Sequence, residues 1–255
     1  MTKIIFSIPF TGKTPKGDNQ TQEWFDFRAK IFQDYTLKSF KNQTDQNLLI
    51  WLQFRPQDRT NFTTLKIADF LKDSLLNYTM TFDGPIMMED RATWHNHDLL
   101  ERAKKSLETL KKTITFEEDY VISVGIDSDD MVDRKFVEIL RNKTPKEHGA
   151  YYTKKGFVYD VVGRLADWHN PTSMSIYAIT YPTKIFLDAE KHFKHQNGLS
   201  SHEQIPKLFD AELLPDNLYC ATIHGDNIST VWNHPFMGRE YFIDSDIKTI
   251  LNNFL

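Results

Sequence analysis

The chain has 255 residues, 40% of them hydrophobic and 26% charged, which is enough length and apolar content for one large domain or two small ones. A net charge of −4 gives no overall basic field and speaks against nucleic acid as a partner. A single cysteine, Cys220, excludes an internal disulfide framework, and no apolar run has the length of a signal peptide or transmembrane helix, so a soluble cytoplasmic protein is expected.

Lys3 to Phe10 reads as a first strand, running into Thr11-Gly-Lys-Thr14. That tetrad is not a phosphate loop: Ser7 holds the position of the first glycine, and Pro15 with Gly17 interrupts the expected helix start. A loop that closes near a ligand is the expectation there. Trp24 to Phe40 spaces Trp24, Phe27, Ile31, Phe32, Tyr35 and Leu37 as an amphipathic helix does. Asn47 to Phe54 is a buried strand, Thr63 to Asn77 a helix, and Tyr78 to Phe82 a short strand before the turn Asp83-Gly-Pro85. A long polar helix begins at Trp94 or Asp98 and ends near Lys112. The β-branched run Tyr120-Val-Ile-Ser-Val-Gly-Ile then stops at Asp127-Ser-Asp-Asp130. Short, uncharged and rich in Val and Ile, it reads as an interior strand of a parallel sheet. The first half is therefore β-α-β-α-β-α-β, an α/β pattern in which ligands sit at the carboxyl ends of the strands.

Three carboxylates within four residues at such an end favour Mg²⁺ or Mn²⁺, which leave coordination sites open for phosphate. A solvated acidic turn is the competing reading, since Asp and Ser both favour turns. After a helix from Arg134 to Asn142 the pattern changes. Gly149 to Val162 alternates as hairpin strands do, and Met174 to Tyr181 and Leu218 to Ile223 read as strands. Thr183 to His195 is helical, Ser201 to Phe209 is a short helix broken at Pro206, and Ser245 to Leu255 is a closing amphipathic helix. Five Asn-x-Ser/Thr sequons, beginning at Asn42, Asn61, Asn77, Asn142 and Asn227, are read as Asn-rich composition rather than glycosylation sites.

Three phrases occur in series. Arg28 and the run Ile31 to Thr44, containing Ser39-x-x-x-Gln43-Thr44, lead into the strand through Trp51. Gly125-Ile-Asp-Ser-Asp-Asp130 follows, and later Ala221-Thr-Ile-His-Gly-Asp-Asn-Ile-Ser229. In that order they resemble the GT-A fold of nucleotide-sugar glycosyltransferases, and are similar to rhamnosyltransferase-like proteins. The resemblance implies a GT-A-like mixed sheet with a Rossmann-like N-terminal nucleotide-binding half and a more antiparallel acceptor half. It implies one domain over 1–255, with a nucleotide-sugar-binding lobe (1–142) and an acceptor-binding lobe (143–255).

By the same resemblance, a sugar, with rhamnose the leading guess, passes with inversion from a nucleotide-sugar to a glycan or other hydroxylated acceptor. Mn²⁺ or Mg²⁺ would be the cofactor, held by Asp127, Asp129 and His224, with Asp127 also near the ribose and Asp130 near metal or sugar. Pro9 and Phe10 would pack on the base, while Arg55, Asp83, Arg102 and Ser128 would contact the donor. Related enzymes place a base on a short helix after the acidic motif. Glu203 is the first candidate here, with His202 or Asp226 as substitutes. Trp168, His169 and Trp232 are candidates for an acceptor platform, with core or hairpin packing as the alternative for the tryptophans. Two other classes remain open: a haloacid-dehalogenase-type phosphatase using Asp127 and Asp129, and a non-catalytic carbohydrate-binding protein. Against the phosphatase stand Met131 in the fifth motif position and a motif on the fourth strand rather than the first.

Overall fold

A computed structural model describes residues 2–11, 21–85, 97–173, 175–196, 198–225, 227 and 230–255. Its organising element is a seven-stranded mixed sheet. Four parallel strands form one side: β1 (Thr2–Pro9), β2 (Leu49–Gln53), β3 (Asn77–Thr81) and β4 (Tyr120–Gly125). β1 pairs with β2 on one edge and β4 on the other, and β2 pairs with β3, giving the order β4-β1-β2-β3. The direction of winding reverses between β1 and β4, and at such a switch point the crevice beyond the carboxyl ends is open to a ligand. β2 is buried throughout, and β1 and β4 combine buried with half-buried residues and expose none, as strands covered on both faces do.

The helices supply that cover. On one face lie α1 (Gln22–Ile31), a π-helical turn (Phe32–Thr36) and α2 (Leu37–Lys41), which form a single run. With α3 (Phe62–Ser74) they bury Phe32, Leu37, Phe40, Ile67 and Leu71 against Phe6, Ile50 and Leu52. The opposite face takes α4 (His97–Thr113), whose Leu99, Ala103, Leu107 and Leu110 recur at helical spacing. The helix expected from Trp24 to Phe40 is thus present, with a π turn inside it.

Beyond residue 125 the chain feeds two sheets. A two-residue strand β5 (Met131–Val132) precedes α5 (Phe136–Arg141). β6 (Gly149–Tyr152) joins the first sheet with β9 (Tyr177–Pro182) and β10 (Asp210–Leu213), in the order β10-β6-β9-β4. β7 (Lys155–Asp160), β8 (Arg164–His169), β11 (Tyr219–Ile223) and β12 (Met237–Tyr241) form the second sheet with β5, ordered β12-β8-β7-β11-β5. The expected hairpin over Gly149–Val162 is therefore corrected. Its two strands lie in different sheets, and β7 makes its hairpin with β8 through a turn at Gly163, φ +102. Alternation identifies strands but not their partners, and the choice is tertiary. Gly156 accepts β11 because a Cβ there would run into the Tyr219 carbonyl.

Several boundaries differ for local reasons. Thr183–His195 forms two helices, α6 (Thr183–Phe186) and α7 (Ala189–His195), the second capped by the Asp188 side chain accepting from Lys191 N. A 3₁₀ turn (His202–Gln204) runs straight into α8 (Ile205–Leu208). Pro206 lies in the first turn of α8, where its missing N–H leaves no bond unmade, so it starts the helix rather than breaking it. α9 (Asp244–Leu251) stops short of the expected end, and Phe254 turns back into the core. No helix of the described residues is long and apolar enough to cross a membrane.

Gly125, the last residue of β4, pairs with Tyr177 and has no room for a side chain, because a Cβ would overlap the Tyr177 ring. Gly125→Ala is expected to destabilise the protein by about 1–3 kcal/mol, the usual cost of overpacking. Urea denaturation measures this, and an unchanged midpoint would show that Tyr177 yields freely.

Candidate active site

The acidic motif begins where β4 ends, and its side chains part at once. Asp127 is exposed, whereas Ser128, Asp129 and Asp130 are buried. A turn closed by Asp130 N donating to Asp127 O (3.3 Å) produces the division. Asp130 faces the second sheet. Its Oδ1 accepts from Thr222 N at 3.0 Å and its Oδ2 from the Tyr219 hydroxyl. Burial, then the neighbouring Asp129 and Asp127, push the Asp130 carboxyl well above its ordinary range. With both oxygens engaged from β11, Asp130 fastens the two sheets together; its side chain is buried and turned to the second sheet rather than toward a metal or sugar as expected.

Asp129 faces the other way, toward α1. Thr21 caps that helix by accepting from Trp24 N at 3.2 Å, and one turn later Arg28 extends across the strand ends. Its Nη1 donates to Asp129 Oδ2 at 2.9 Å, and its Nη2 donates to Ser128 Oγ at 2.6 Å and Asp129 Oδ1 at 3.2 Å. The guanidinium also lies 5.9 Å from the Trp24 ring centroid. Side-chain exposures of 12% and 8% make Arg28–Asp129 a buried ion pair rather than a surface one. Burial alone would raise the Asp129 carboxyl; Arg28 and the hydrogen bonds from His224 and Arg28 outweigh it and hold the group well below the ordinary carboxylate range. Burial opposes the Arg28 charge as well, and the carboxylates, Asp129 first, raise its pKa above the usual arginine value.

His224 completes the cluster from the end of β11. Its Nε2 lies 2.7 Å from Asp129 Oδ2 and 2.8 Å from Arg28 Nη1, and Phe27 packs edge-on against the ring at 5.4 Å. Nε2 serves one neighbour at a time, donating to the carboxylate or accepting from the guanidinium. Asn227 sets this loop: its Oδ1 accepts from His224 N (2.8 Å), while its Nδ2 donates to Thr222 O (2.7 Å) and Asp129 Oδ2 (3.3 Å). Among the described residues Arg28 Nε is buried with no hydrogen-bond partner, an omission uncommon in structural clusters. Sequence reasoning gave no role to Arg28 or Asn227. The available signal was an arginine four residues after Trp24, inside an apolar stripe.

The other candidates are spread around this cluster. Phe10 is 2% exposed, with its ring between Phe54 (5.1 Å) and Phe32 (5.6 Å), so it has no open face for a base; Pro9 ends β1 in register with Gln53. Arg55 turns back onto Asp58, donating from Nε and Nη2 at 3.0 Å each. Asp83 accepts from Ser106 Oγ at 3.4 Å, and Arg102 lies against Gly84 and 3.5 Å from Pro85 O, so those two meet at the loop after β3. His202 Nδ1 lies 2.9 Å from Ser173 O, and burial lowers the pKa of its imidazole. The Ser173 loop leads into β9, whose Tyr177 pairs with Gly125. His202 and the neighbouring Glu203 therefore lie on the rim that carries the acidic motif. Trp168 is packed against His234 (4.9 Å) and Phe236 (5.9 Å), His169 is exposed, and Trp232 lies under the Arg164 guanidinium. Asp226 and the Gly12–Thr14 loop lie outside the described residues.

Among the described residues no group of three or more His, Cys, Asp or Glu side chains is arranged to hold a metal ion. Asp129 Oδ2 already meets Arg28, His224 and Asn227. Asp127, by contrast, is exposed. One or two carboxylates with substrate phosphates are what Mg²⁺ and Mn²⁺ ordinarily take. The side chains present do not enclose an ion by themselves, so one bound here would need ligands from outside the described residues.

The architecture is that of a mixed α/β protein: a parallel, Rossmann-like N-terminal half joined to a more antiparallel C-terminal half, with the polar cluster at the switch point. No family model and no curated protein matches the chain. It is similar in structure to Staphylococcus aureus TarS 1–349 in complex with UDP, at 14% identity and TM-score 0.47, with 87% of this chain and 60% of that one covered. It is also similar to a nucleoside-diphosphate-sugar pyrophosphorylase from Vibrio cholerae RC9, at 12% identity and TM-score 0.39, with 86% and 91% covered. Mouse xyloside xylosyltransferase 1 matches at 9% identity and TM-score 0.37, with 84% and 85% covered. The chain thus spans less than two thirds of the TarS 1–349 chain.

Two expectations follow from the cluster. Arg28→Met leaves Asp129 buried without its counter-ion and is expected to cost about 3–5 kcal/mol, part of it recovered in Arg28→Met/Asp129→Asn. Denaturation of both variants measures this, and a cost below about 1 kcal/mol would mean solvent reaches the pair. Asp130, raised in the folded state, contributes stability that is complete below the ordinary carboxylate range and is lost as pH rises through the raised value. Asp130→Asn removes that titration, so its stability relative to the parent protein should climb as pH rises above about 4. A difference independent of pH would reject the raised value.

Proposed function

We propose that the chain is a nucleotide-sugar glycosyltransferase, with the diphosphate of its donor lying over the carboxyl ends of β1 and β4. The observation that carries this reading is the buried cluster of Arg28, Ser128, Asp129 and His224 at the winding reversal, with exposed Asp127 at its mouth. Departure of a nucleoside diphosphate concentrates negative charge on one phosphate oxygen, and preorganised donors beside that position accelerate the transfer. Arg28 and Asn227 hold Asp129 and the His224 loop in fixed positions, so the cluster need not rearrange as charge develops. Asp127, with phosphate oxygens of the donor, would hold Mn²⁺ or Mg²⁺; when bound, the ion would supply charge neutralisation for the leaving diphosphate.

The acceptor hydroxyl attacks the anomeric carbon as the bond to the diphosphate breaks, with inversion, and its proton passes to a base. Glu203 and His202 on the adjoining rim are the candidates. The lowered pKa of His202 keeps it neutral, and able to accept a proton, down to more acidic pH than an ordinary histidine. Rhamnose, on the sequence resemblance, is the first donor sugar to test. A dehalogenase-type phosphatase is less well supported, because Met131 stands in the fifth motif position and the motif follows the fourth strand rather than the first.

Thermal shift against nucleoside diphosphates and nucleotide-sugars, with and without Mn²⁺, tests the reading by mass action. A melting temperature raised by one nucleotide family, more so with Mn²⁺, is expected. Asp127→Ala should lose the Mn²⁺ increment and keep the fold. No response to any nucleotide would reject the proposal.

A further inference from the structure

A second feature adjoins the cluster. Between the β7–β8 turn and the segment after β11 lies an open cleft of about 410 Å³, within the usual size range of small-molecule sites. His224 and Asn227 line it and also contact Asp129, so cleft and acidic cluster share a wall. Gly225 sits at φ +88 with no atom of the described residues within 4 Å of its Cβ position.

The lining has two characters. Val161, Val162, Ile223 and Val231 give an aliphatic wall, and Val162 and Val231 remain 75% and 52% exposed. Opposite stands one organised polar unit. Asp160 Oδ2 accepts from Arg164 Nη2, Asp160 Oδ1 accepts from Val162 N at 3.0 Å, and the Arg164 guanidinium lies 4.3 Å from the Trp232 ring centroid. Arg164 is thus fixed by an ion pair and an aromatic face while its side chain stays 51% exposed, and Nε and Nη1 have no protein partner among the described residues. The pair is neutral as a whole, and through the exposed guanidinium it offers donors to hydroxyl groups.

From this, and resting on the transferase reading, we infer that the cleft is the acceptor subsite and takes a neutral hydroxylated ligand with an apolar face, such as a sugar glycoside. The aliphatic wall covers the C–H face or aglycone, Asp160–Arg164 engages hydroxyls, and the reacting hydroxyl lies toward His224. An anionic acceptor is disfavoured, since Arg164 is already neutralised by Asp160, and the shared wall residues His224 and Asn227 have the Asp129 carboxylate behind them.

The test compares an aryl glucoside with the matching aryl glucuronide, which differ by one carboxylate. Binding to the nucleotide-loaded protein is titrated by saturation-transfer NMR, alongside the nucleotide thermal shift. The glucoside is expected to bind at least about tenfold more tightly than the glucuronide. Val231→Asp and Val162→Asp, both at exposed positions, should weaken glucoside binding about tenfold and leave the nucleotide shift unchanged. Equal or tighter glucuronide binding, or glucoside binding untouched by both variants, overturns the inference. A nucleotide response with no glycoside binding overturns the acceptor assignment alone. Absence of any nucleotide response overturns the transferase reading and this assignment with it.

Discussion

The buried ion pair between Arg28 and Asp129 holds the site together. Each charge taken alone out of water costs several kcal/mol, so neither residue is tolerable there without the other. Their need for one another docks α1 against the loop that follows β4, and Nη1 and Asp129 Oδ2 both reach His224 at the end of β11. A helix from the first half of the chain and strand ends from both sheets are thereby fixed at one point. The pair also sets the charge available to a ligand. Arg28 neutralises Asp129, whereas Asp127 stays exposed in the same turn.

Three carboxylates in four residues cannot all be ionised at close range in a poorly solvated site. Burial and partners separate them. Asp127 stays in solvent, Asp129 is held ionised by Arg28, and Asp130 is driven toward its protonated form by burial. A protonated Asp130 also relieves the repulsion that would otherwise loosen Asp129 from its partner. Asp130, expected near metal or sugar, is in effect a bolt between the sheets, fastened to Tyr219 and Thr222.

Much of the first half was legible because parallel strands covered on both faces leave long apolar runs, and the intervening helices carry clear stripes. The acidic motif was legible for the same reason: it interrupts such a run at its carboxyl end. Partner choice was not. Gly149–Tyr152 and Lys155–Asp160 alternate alike, yet they enter different sheets, and what sorts them is the bare backbone of Gly156 against β11. Arg28 was visible in the sequence but its role was not, since its partner lies 101 residues away. Phe10 shows the reverse error. Its position at a strand end suggested a ligand platform, but Phe32 and Phe54 claim its ring.

The second sheet gives the site its two sides. The ends of β1 and β4 belong to the parallel half, where the winding reversal opens a crevice. The β7–β8 turn and the segment after β11 belong to the antiparallel half, where hairpin geometry leaves a cleft instead. His224 and Asn227 lie on the boundary, touching Asp129 on one side and lining the cleft on the other. A reaction joining two substrates needs them held at adjacent positions against a common wall, because orientation supplies much of the rate advantage. A hydrolase needs only one such position with access to water. Under the proposed transferase reading, the shared wall is where the two substrates would meet.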